Sequence, residues 1–365
     1  MLSIQARRAG IMATYLVLMG GLVASLASCS AGQPTAISPS HARTAGVPGR
    51  TKARTTAPTQ SAPSVKHVTG TRSPLSVPAA LTRFGRAAFT GEGTWHPSGR
   101  RVDGVPAIYE TTLVPPGGGP RAGVAWMDTR LLSSRLYSGS KSPGGGPYRY
   151  TAPIEPAQAA SLVAAFNGGF KMSDAHGGYY TEGRMIDPLV PGAASLVIYA
   201  TGNVSVGAWG TDVRMTPNVV AVRQNLVPLV TDGRPTASAA SADWQAWGST
   251  CGASSCAASV PGIEHQWRSG IGVTANGALV YAVGPALDPL QLAQLLVRAG
   301  VIRGMQLDIN PSWPVFASYD PATARGLAAP FNGSKLLSST RQGPWTFFEP
   351  WWARDFITMS TRPAG

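Results

Sequence analysis

Short apolar runs separated by glycine- and proline-rich turns dominate the chain from about residue 80 onward. The runs VPAIYETTLV and RAGVAWMDTRLL flank PPGGGP, a segment that continues neither a helix nor a central strand. In SGIGVTANGALVYAVG, Asn276-Gly277 stands between alternating apolar runs, which is the strongest short-range signal for a β-hairpin. ASLVIYATGNVSVGAW predicts a second hairpin with its turn at 201–203. Sequential hairpins favour mainly antiparallel strand pairing.

Two helix–strand units interrupt this pattern. In LDPLQLAQLLVRAGVIRGMQLDIN, Asp288 is a natural N-cap, Pro289 takes the first helical position and Gly300 ends the helix. The buried stripe of this helix is expected to consist of Leu292, Leu295 and Leu296. A shorter helix in EPAQAASLV feeds a strand that ends at Asn167. Residues 81–365 are therefore predicted to form one α+β domain, with a mostly antiparallel or mixed β-sheet core flanked by a few helices, and not a doubly wound fold.

The positive charge of the chain is concentrated in its first part. The chain carries thirty basic and seventeen acidic residues, a formal net charge of +13. Ten of the basic residues and none of the acidic ones precede Glu92, which leaves twenty basic and seventeen acidic residues and a net charge of +3 for the remainder. This distribution argues against nucleic acid as a partner. The basic arm is instead expected to contact anionic lipid or an anionic cell-wall polymer.

The first thirty residues have the design of an export signal. Arg7-Arg8 precede an apolar segment at 11–26, and Leu26-Ala27-Ser28-Cys29 resembles the small-residue pattern before the acylated cysteine of bacterial lipoproteins. We expect residues 1–28 to be a lipoprotein signal peptide and Cys29 to carry the lipid anchor, on the outer face of the cytoplasmic membrane. An uncleaved membrane anchor is the alternative, because the apolar stretch nearly reaches the ~20 residues that span a bilayer.

Residues 29–80 are predicted to be a disordered linker. They are rich in Ser, Thr, Pro, Ala and Arg, and contain too few large apolar side chains to offset the entropy of ordering. The other two cysteines, Cys251 and Cys256, lie in the Gly/Ser-rich segment STCGASSCAAS, so an exported domain is expected to join them in a local disulfide. A metal pair is the weaker alternative, because neither Cys-x-x-Cys spacing nor an adjacent histidine is present.

Three polar elements stand at predicted strand ends. Asn167-Gly168-Gly169 ends one apolar run, and its glycines would let the backbone turn sharply and approach a ligand. Arg268 precedes the strand of the Asn-Gly hairpin, and Asp308 follows the long helix and its strand. Asn-Gly-Gly alone is more often a simple turn, so the order of the three elements carries the interpretation.

That order, in FNGGF, RSGIGVTANGALVYAVG and MQLDIN, resembles the phosphodiester glycosidase family over roughly residues 100–360. The resemblance implies hydrolysis of a sugar linked through phosphate, at a site where the Asn-Gly-Gly, Arg and Asp elements converge. It assigns Asn167, Gly168 and Gly169 to the first element, Arg268 to the second and Asp308 to the third. A carbohydrate phosphodiester is then the expected substrate, and no cofactor is expected.

One turn departs from the pattern of that family. Its typical members follow the aspartate with glycines and a serine, whereas here Asp308 is followed by Ile309-Asn310-Pro311-Ser312-Trp313. This turn has more bulk and lacks one backbone amide, which changes how it can bind phosphate. The side-chain amide of Asn310 is a candidate replacement for the lost donors.

The chemistry of these residue types fits the implied reaction. The planar fork of Arg268 suits bidentate binding of a phosphodiester, and Asp308 is a candidate general acid, general base or stabiliser of an oxocarbenium-like centre. Glu182, or alternatively Asp187, is the nearest candidate for a second catalytic carboxylate. The structural alternatives are a surface pair of Arg268 with Glu264, a loop-closing Asp308 and a solvated Glu182.

Several other polar and aromatic residues have two interpretations each. Arg223-Gln224-Asn225 interrupt a strand-like run, so Arg223 and Asn225 either line the pocket or mark an exposed edge. His176 lacks neighbouring metal-ligand residues, and no metal site is predicted. Tyr179-Tyr180 and Trp351-Trp352 either stack on a sugar ring or pack within the fold.

Two functional hypotheses follow from the sequence. The first is an exported, lipid-anchored hydrolase that cleaves a sugar–phosphate linkage on an envelope or capsule glycopolymer. The second is a catalytically inactive envelope lipoprotein that binds glycan or phosphate, because the turn after Asp308 is altered.

Overall fold

Both predicted hairpins and both helix–strand units are present in the computed structural model. It describes residues 73–86, 88–241, 247–248, 265–323 and 325–362, all of which belong to a unit that spans Val68–Gly365. The proposed signal peptide at 1–28, the anchor Cys29 and the Cys251–Cys256 disulfide lie outside the described residues. So does Glu264.

Within these residues, eighteen strands form three sheets in which every strand pairing is antiparallel. In spatial order, the first sheet contains β1 (His96–Val102), β2 (Val105–Leu113), β3 (Ala122–Met127), β14 (Leu279–Leu287), β13 (Gln266–Thr274), β15 (Val301–Gln306), β11 (Pro228–Thr231) and β12 (Arg234–Pro235). The second contains β7 (Arg184–Asp187), β6 (Tyr179–Thr181), β10 (Val219–Gln224), β8 (Ala194–Tyr199) and β9 (Val204–Ala208). The third contains β17 (Gly333–Lys335), β16 (Phe316–Tyr319), β5 (Leu162–Asn167), β18 (Phe356–Thr361) and β4 (Leu132–Tyr137).

Helices are few and mostly short. The described α-helices are α1 (Pro156–Ala159), α2 (Met172–Ala175), α3 (Ala237–Ala240) and α4 (Pro289–Arg298), and two 3-10 turns cover Pro330–Asn332 and Pro344–Phe348. None of these helices has the length and apolar character needed to cross a membrane. Antiparallel sheets with a few flanking helices confirm the predicted α+β class.

The long helix α4 follows the sequence prediction closely. The Asp288 side chain accepts the backbone N–H of Gln291, and the Gln291 side chain accepts the Asp288 N–H, which completes a capping box. Pro289 takes the first turn, and Gly300 just beyond the helix has a φ of 87°, a conformation that suits glycine. The fully buried residues of α4 include Leu292, Leu295 and Leu296.

The first sheet is covered on both faces, which explains why its strands β3 and β14 are almost entirely apolar. One core cluster packs α4 against this sheet through side chains such as Leu296 and Val280. Another cluster joins the three sheets through side chains such as Ile271, Leu196 and Phe166. All six residues of β3 are buried, as expected for a strand with no solvent-facing side. The β13–β14 hairpin turns at Asn276-Gly277, where Gly277 has a φ of 89°.

Candidate functional site

A cavity of about 990 Å³ opens where six chain segments meet. These segments are the loop after β4, the loop and short helix after β5, Gly248, the start of β13, the turn after β15 and the stretch that precedes β18. Its charged lining consists of four basic side chains and two carboxylates: Lys141, Lys171, Arg268, Arg354, Asp174 and Asp308. The volume lies in the range of small-molecule sites, and the excess of basic groups favours an anionic ligand.

Asp308 is the buried carboxylate of this cavity. Its side chain is nearly inaccessible, with 1% of the residue exposed, although it contributes to the lining. Oδ1 accepts the backbone N–H of Asn310 at 2.9 Å, and Oδ2 lies 3.3 Å from Nη2 of Arg354. Burial raises the pKa of Asp308 to about 7, while Arg354 and the backbone N–H groups of the turn act in the opposite direction. A carboxyl with this pKa can exchange a proton near neutral pH.

Arg354 is a site residue that the sequence interpretation missed. Apart from the contact with Asp308, its guanidinium lies over the ring of Trp313, with Cζ 4.9 Å from the ring centroid. Its Nε and Nη1 atoms are buried and have no hydrogen-bond partner among the described residues. Buried donors without partners are costly, so this side chain gains bonds if it turns toward an incoming anion. The available signal was the charged pair Arg354-Asp355, which interrupts the apolar segment WWARDFITM.

Arg268 lies in the wall of the same cavity, but its guanidinium donates hydrogen bonds to neighbouring strands. It is 2% exposed, its Nε donates to the Leu287 carbonyl at 2.7 Å, and its Nη1 donates to Oε1 of Gln306 at 2.7 Å. Burial lowers the pKa of Arg268 to about 10, with Asp288 opposing the shift, so the side chain is still cationic at neutral pH. Arg268 therefore ties β13 to β14 and β15 and places positive charge at the cavity.

Asn167 joins two sheets beneath the site. Its Oδ1 accepts the Tyr281 hydroxyl at 2.7 Å and the Val315 N–H at 3.1 Å, and its Nδ2 donates to the Ser269 hydroxyl at 3.0 Å. The same Ser269 hydroxyl accepts the backbone N–H of Asp308 at 3.1 Å. Asn167 is 1% exposed and is not among the lining residues, so the structure places it as a support for Asp308.

The two positions after Asn167 have no room for a side chain, which explains why both are glycine. A Cβ on Gly168 would stand 2.2 Å from Oδ2 of Asp355, and a Cβ on Gly169 would stand 2.7 Å from Oδ1 of Asn225. Nε of Arg223 pairs with the Asp355 carboxylate at 2.8 Å, and both side chains are fully buried. Side chains therefore occupy the space that a Cβ on either glycine would need, and no lining role for the glycines is seen.

Arg223 and Asn225 are turned into the protein. Besides pairing with Asp355, Arg223 donates to the carbonyls of Phe170 and Gln224. Asn225 accepts the Phe170 N–H at 3.0 Å and donates to the carbonyls of Gln306 and Leu307 at 3.0 and 2.9 Å. Both residues are fully buried and neither contributes to the cavity lining, which places them beneath the site as a polar support.

The unusual turn after Asp308 is ordered by its own side chains. After the bond from the Asn310 N–H to Asp308, Oδ1 of Asn310 accepts the Ser312 N–H at 3.0 Å, and the Asn310 carbonyl accepts the Trp313 N–H. Two successive side-chain-to-backbone turns thus hold residues 308–312 in place. Asn310, Pro311 and Trp313 all line the cavity.

The structure does not bring Glu182 to the cavity. Glu182 forms the turn between β6 and β7, and its carboxylate accepts the backbone N–H groups of Arg149 and Tyr150 at 3.0 and 2.9 Å. Asp187 does not line the cavity either, whereas Asp174 does, paired with Lys171 at 3.2 Å. His176 lines the cavity and is exposed, while Tyr179 is fully buried. Among the described residues, no group of three or more His, Cys, Asp or Glu side chains could hold a metal ion.

No family model matches the chain, and no curated protein matches it in sequence. Solved structures similar to it include the zebrafish N-acetylglucosamine-1-phosphodiester alpha-N-acetylglucosaminidase catalytic domain, auto-inhibited by its pro-peptide, at 14% identity and a TM-score of 0.41, over 73% of this chain and 88% of that one. A hypothetical protein from Synechocystis matches at 11% identity and a TM-score of 0.39, over 73% and 64%. A protein described as exported, from Burkholderia pseudomallei, matches at 12% identity and a TM-score of 0.31, over 66% and 74%. These likenesses are distant, so the functional proposal depends on the site itself.

Proposed function

We propose that this chain is an extracytoplasmic hydrolase that cleaves the glycosidic bond between a sugar and a phosphate, on a cell-envelope or capsule glycopolymer. The observation that carries the proposal is the placement of Asp308, a buried carboxyl with a pKa of about 7, beside Arg354 in a cavity whose charged lining is mainly basic. The basic lining suits a phosphodiester, and the carboxyl suits proton transfer.

In the proposed reaction, Arg354 and Arg268 supply the positive charge that holds the phosphate. Asp308, whose ionised form is favoured by the N–H of Asn310 and by Arg354, takes a proton from a water molecule that attacks the anomeric carbon. The bond from that carbon to the phosphate oxygen breaks, and the phosphate leaves as an anion among basic side chains. Asp174, in place of Glu182, is the second carboxylate within the cavity.

The cellular setting is part of the same proposal. The signal peptide at 1–28 exports the chain, acylated Cys29 anchors it on the outer face of the cytoplasmic membrane, and the linker lifts the domain toward the polymer. The absence of acidic residues before Glu92 supports contact between the linker and an anionic cell-wall polymer or lipid.

The position of Glu182 favours a second candidate function. Because its carboxylate is bonded to the backbone of 149–150, the second catalytic carboxylate expected from the sequence is not at the cavity. A protein that binds a phosphate-containing glycan without cleaving it needs only the basic lining and no second catalytic carboxylate.

The test measures sugar release by the full chain, purified in detergent, from a panel of sugar-1-phosphodiesters. We expect release by the wild type, none by Asp308→Asn, and unchanged release by Glu182→Gln, the control for a carboxylate outside the cavity. Saturable binding without release across the panel would establish the binding protein instead.

A further inference from the structure

Two adjacent tryptophans just before Arg354 have opposite environments. Trp352 is fully buried, whereas 57% of Trp351 is exposed. Their ring centroids are 6.4 Å apart with an interplanar angle of 62°, so Trp351 stands edge-on against its buried neighbour. More than half of Trp351 is therefore accessible to solvent, while its ring rests against a fully buried one.

The buried ring connects this surface to the cavity. Trp352 contacts Trp313 edge-on, with centroids 5.1 Å apart, and the guanidinium of Arg354 covers the Trp313 ring. Trp313 and Arg354 both line the cavity, while Trp351 does not. The aromatic series Trp351–Trp352–Trp313 thus leads from the protein surface to the side chain that contacts Asp308.

The backbone that carries Trp351 is fixed in place. Ser140 donates its hydroxyl to the Trp351 carbonyl at 3.1 Å and its N–H to the Trp352 carbonyl at 2.8 Å, and Ser142 donates to the Ala353 carbonyl at 2.9 Å. The two segments approach so closely that a Cβ on Gly139 would stand 2.4 Å from the Arg354 backbone. A ring held on such a support loses little conformational entropy when a ligand binds.

We propose that Trp351 is a platform for a second sugar unit, outside the cavity, and that the site therefore prefers an oligomer or polymer of phosphate-linked sugars to a single sugar phosphodiester. This inference rests on the proposed function, because it assumes that the cavity binds a sugar phosphate. A flat indole face suits the apolar face of a sugar ring, and Lys141, beside Ser140 and Ser142 in the cavity wall, adds a positive charge for a following phosphate.

The experiment compares two ligands by calorimetry, with Asp308→Asn as the background that prevents turnover. The probes are a glucose oligomer joined through 1-phosphodiester links and the methyl diester of glucose 1-phosphate. Adding Trp351→Ala is expected to weaken oligomer binding about 5- to 30-fold, the effect of one to two kcal/mol, and to leave binding of the methyl diester unchanged. The matched control is Trp345→Ala, a tryptophan that is 42% exposed on the 3-10 turn Pro344–Phe348.

Three outcomes overturn the platform: no binding of the oligomer, equal loss for both probes, or equal loss for both tryptophan variants. In the active chain, we expect Trp351→Ala to raise KM for the oligomer with kcat unchanged. Oligomer binding that depends on Trp351 without any turnover would sustain the platform and reject the hydrolase. Turnover of the oligomer that does not depend on Trp351 would support the hydrolase and reject the platform.

Discussion

Nη2 of Arg354 lies 3.3 Å from the carboxylate of Asp308. Arg354 belongs to the stretch before β18, and Asp308 belongs to the turn after β15. This contact and burial act on the pKa of Asp308 in opposite directions, and burial has the larger effect.

The activity of the wild type is expected to rise with pH through an apparent pKa of about 7. Below this pKa, Asp308 is protonated and cannot take a proton from water, whereas above it the carboxylate is the reactive form. The measurement is kcat/KM on a sugar-1-phosphodiester between about pH 5 and pH 9. Activity that increases as the pH falls would assign Asp308 the role of a general acid instead.

Replacing Arg354 tests whether its charge acts on Asp308. In Arg354→Met, we expect the apparent pKa of the pH profile to move upward, because the cation that favours the ionised carboxyl is gone, and kcat/KM to fall roughly tenfold or more. Arg354→Lys keeps the charge but not the planar fork, so it should restore the pKa while leaving part of the loss in kcat/KM. An unchanged pKa in Arg354→Met would show that the contact with Asp308 has no electrostatic effect.

The stability of Asp308→Asn relative to the wild type is expected to depend on pH. The pKa of Asp308 is about 7 in the folded protein and is raised from 3.8, so its ionisation is disfavoured by folding. In the wild type, the protonated carboxyl makes its full contribution to the free energy of unfolding below about pH 4. This contribution is lost as the pH rises through about 7. Asparagine does not ionise, so the free energy of unfolding of the variant should rise relative to that of the wild type as the pH increases across this window. Denaturant titrations at several pH values measure it, and a constant difference would contradict the raised pKa.

Gly168→Ala is expected to destabilise the protein. The new methyl group would stand 2.2 Å from Oδ2 of Asp355, which is fully buried and paired with Arg223, so neither side chain can move without losing that pair. We expect a loss of about 1–3 kcal/mol or more in the free energy of unfolding. Gly85→Ala is the control, since no atom lies within 4 Å of its added Cβ, and its change should stay within about 0.5 kcal/mol.

Local signals in the sequence were sufficient for much of the fold. The capping box of α4 and the Asn-Gly turn of the β13–β14 hairpin are fixed by residues close together in the chain, and both predictions are confirmed. Arg268 and Asp308 could likewise be selected because each stands at the end of a predicted strand, and the structure brings both to one cavity.

The rest of the site depends on pairings between distant segments, which no local pattern reveals. Arg354 reaches Asp308 only because β18 pairs with β5, and Asp355 pairs with Arg223 for the same reason. Arg223 and Asn225 interrupt an apolar run, but the sequence could not tell whether they face the cavity or support it from below. Glu182 looked close to the site in sequence, yet its turn with a φ of 51° directs the carboxylate to the backbone of 149–150.

The position of β18 also governs the order in which the molecule can fold. In the third sheet, β18 lies between β4 and β5, although both of these strands precede it by a long stretch of chain. Until the segment Phe356–Thr361 pairs, this sheet lacks its fourth strand, and the facing edges of β5 and β4 are unpaired. Such non-local pairing slows folding and leaves edges open to misassociation. Because Arg354 and Asp355 immediately precede β18, the pairing of β18 also brings Arg354 into the cavity wall, so a chain in which β18 is unpaired lacks a complete site.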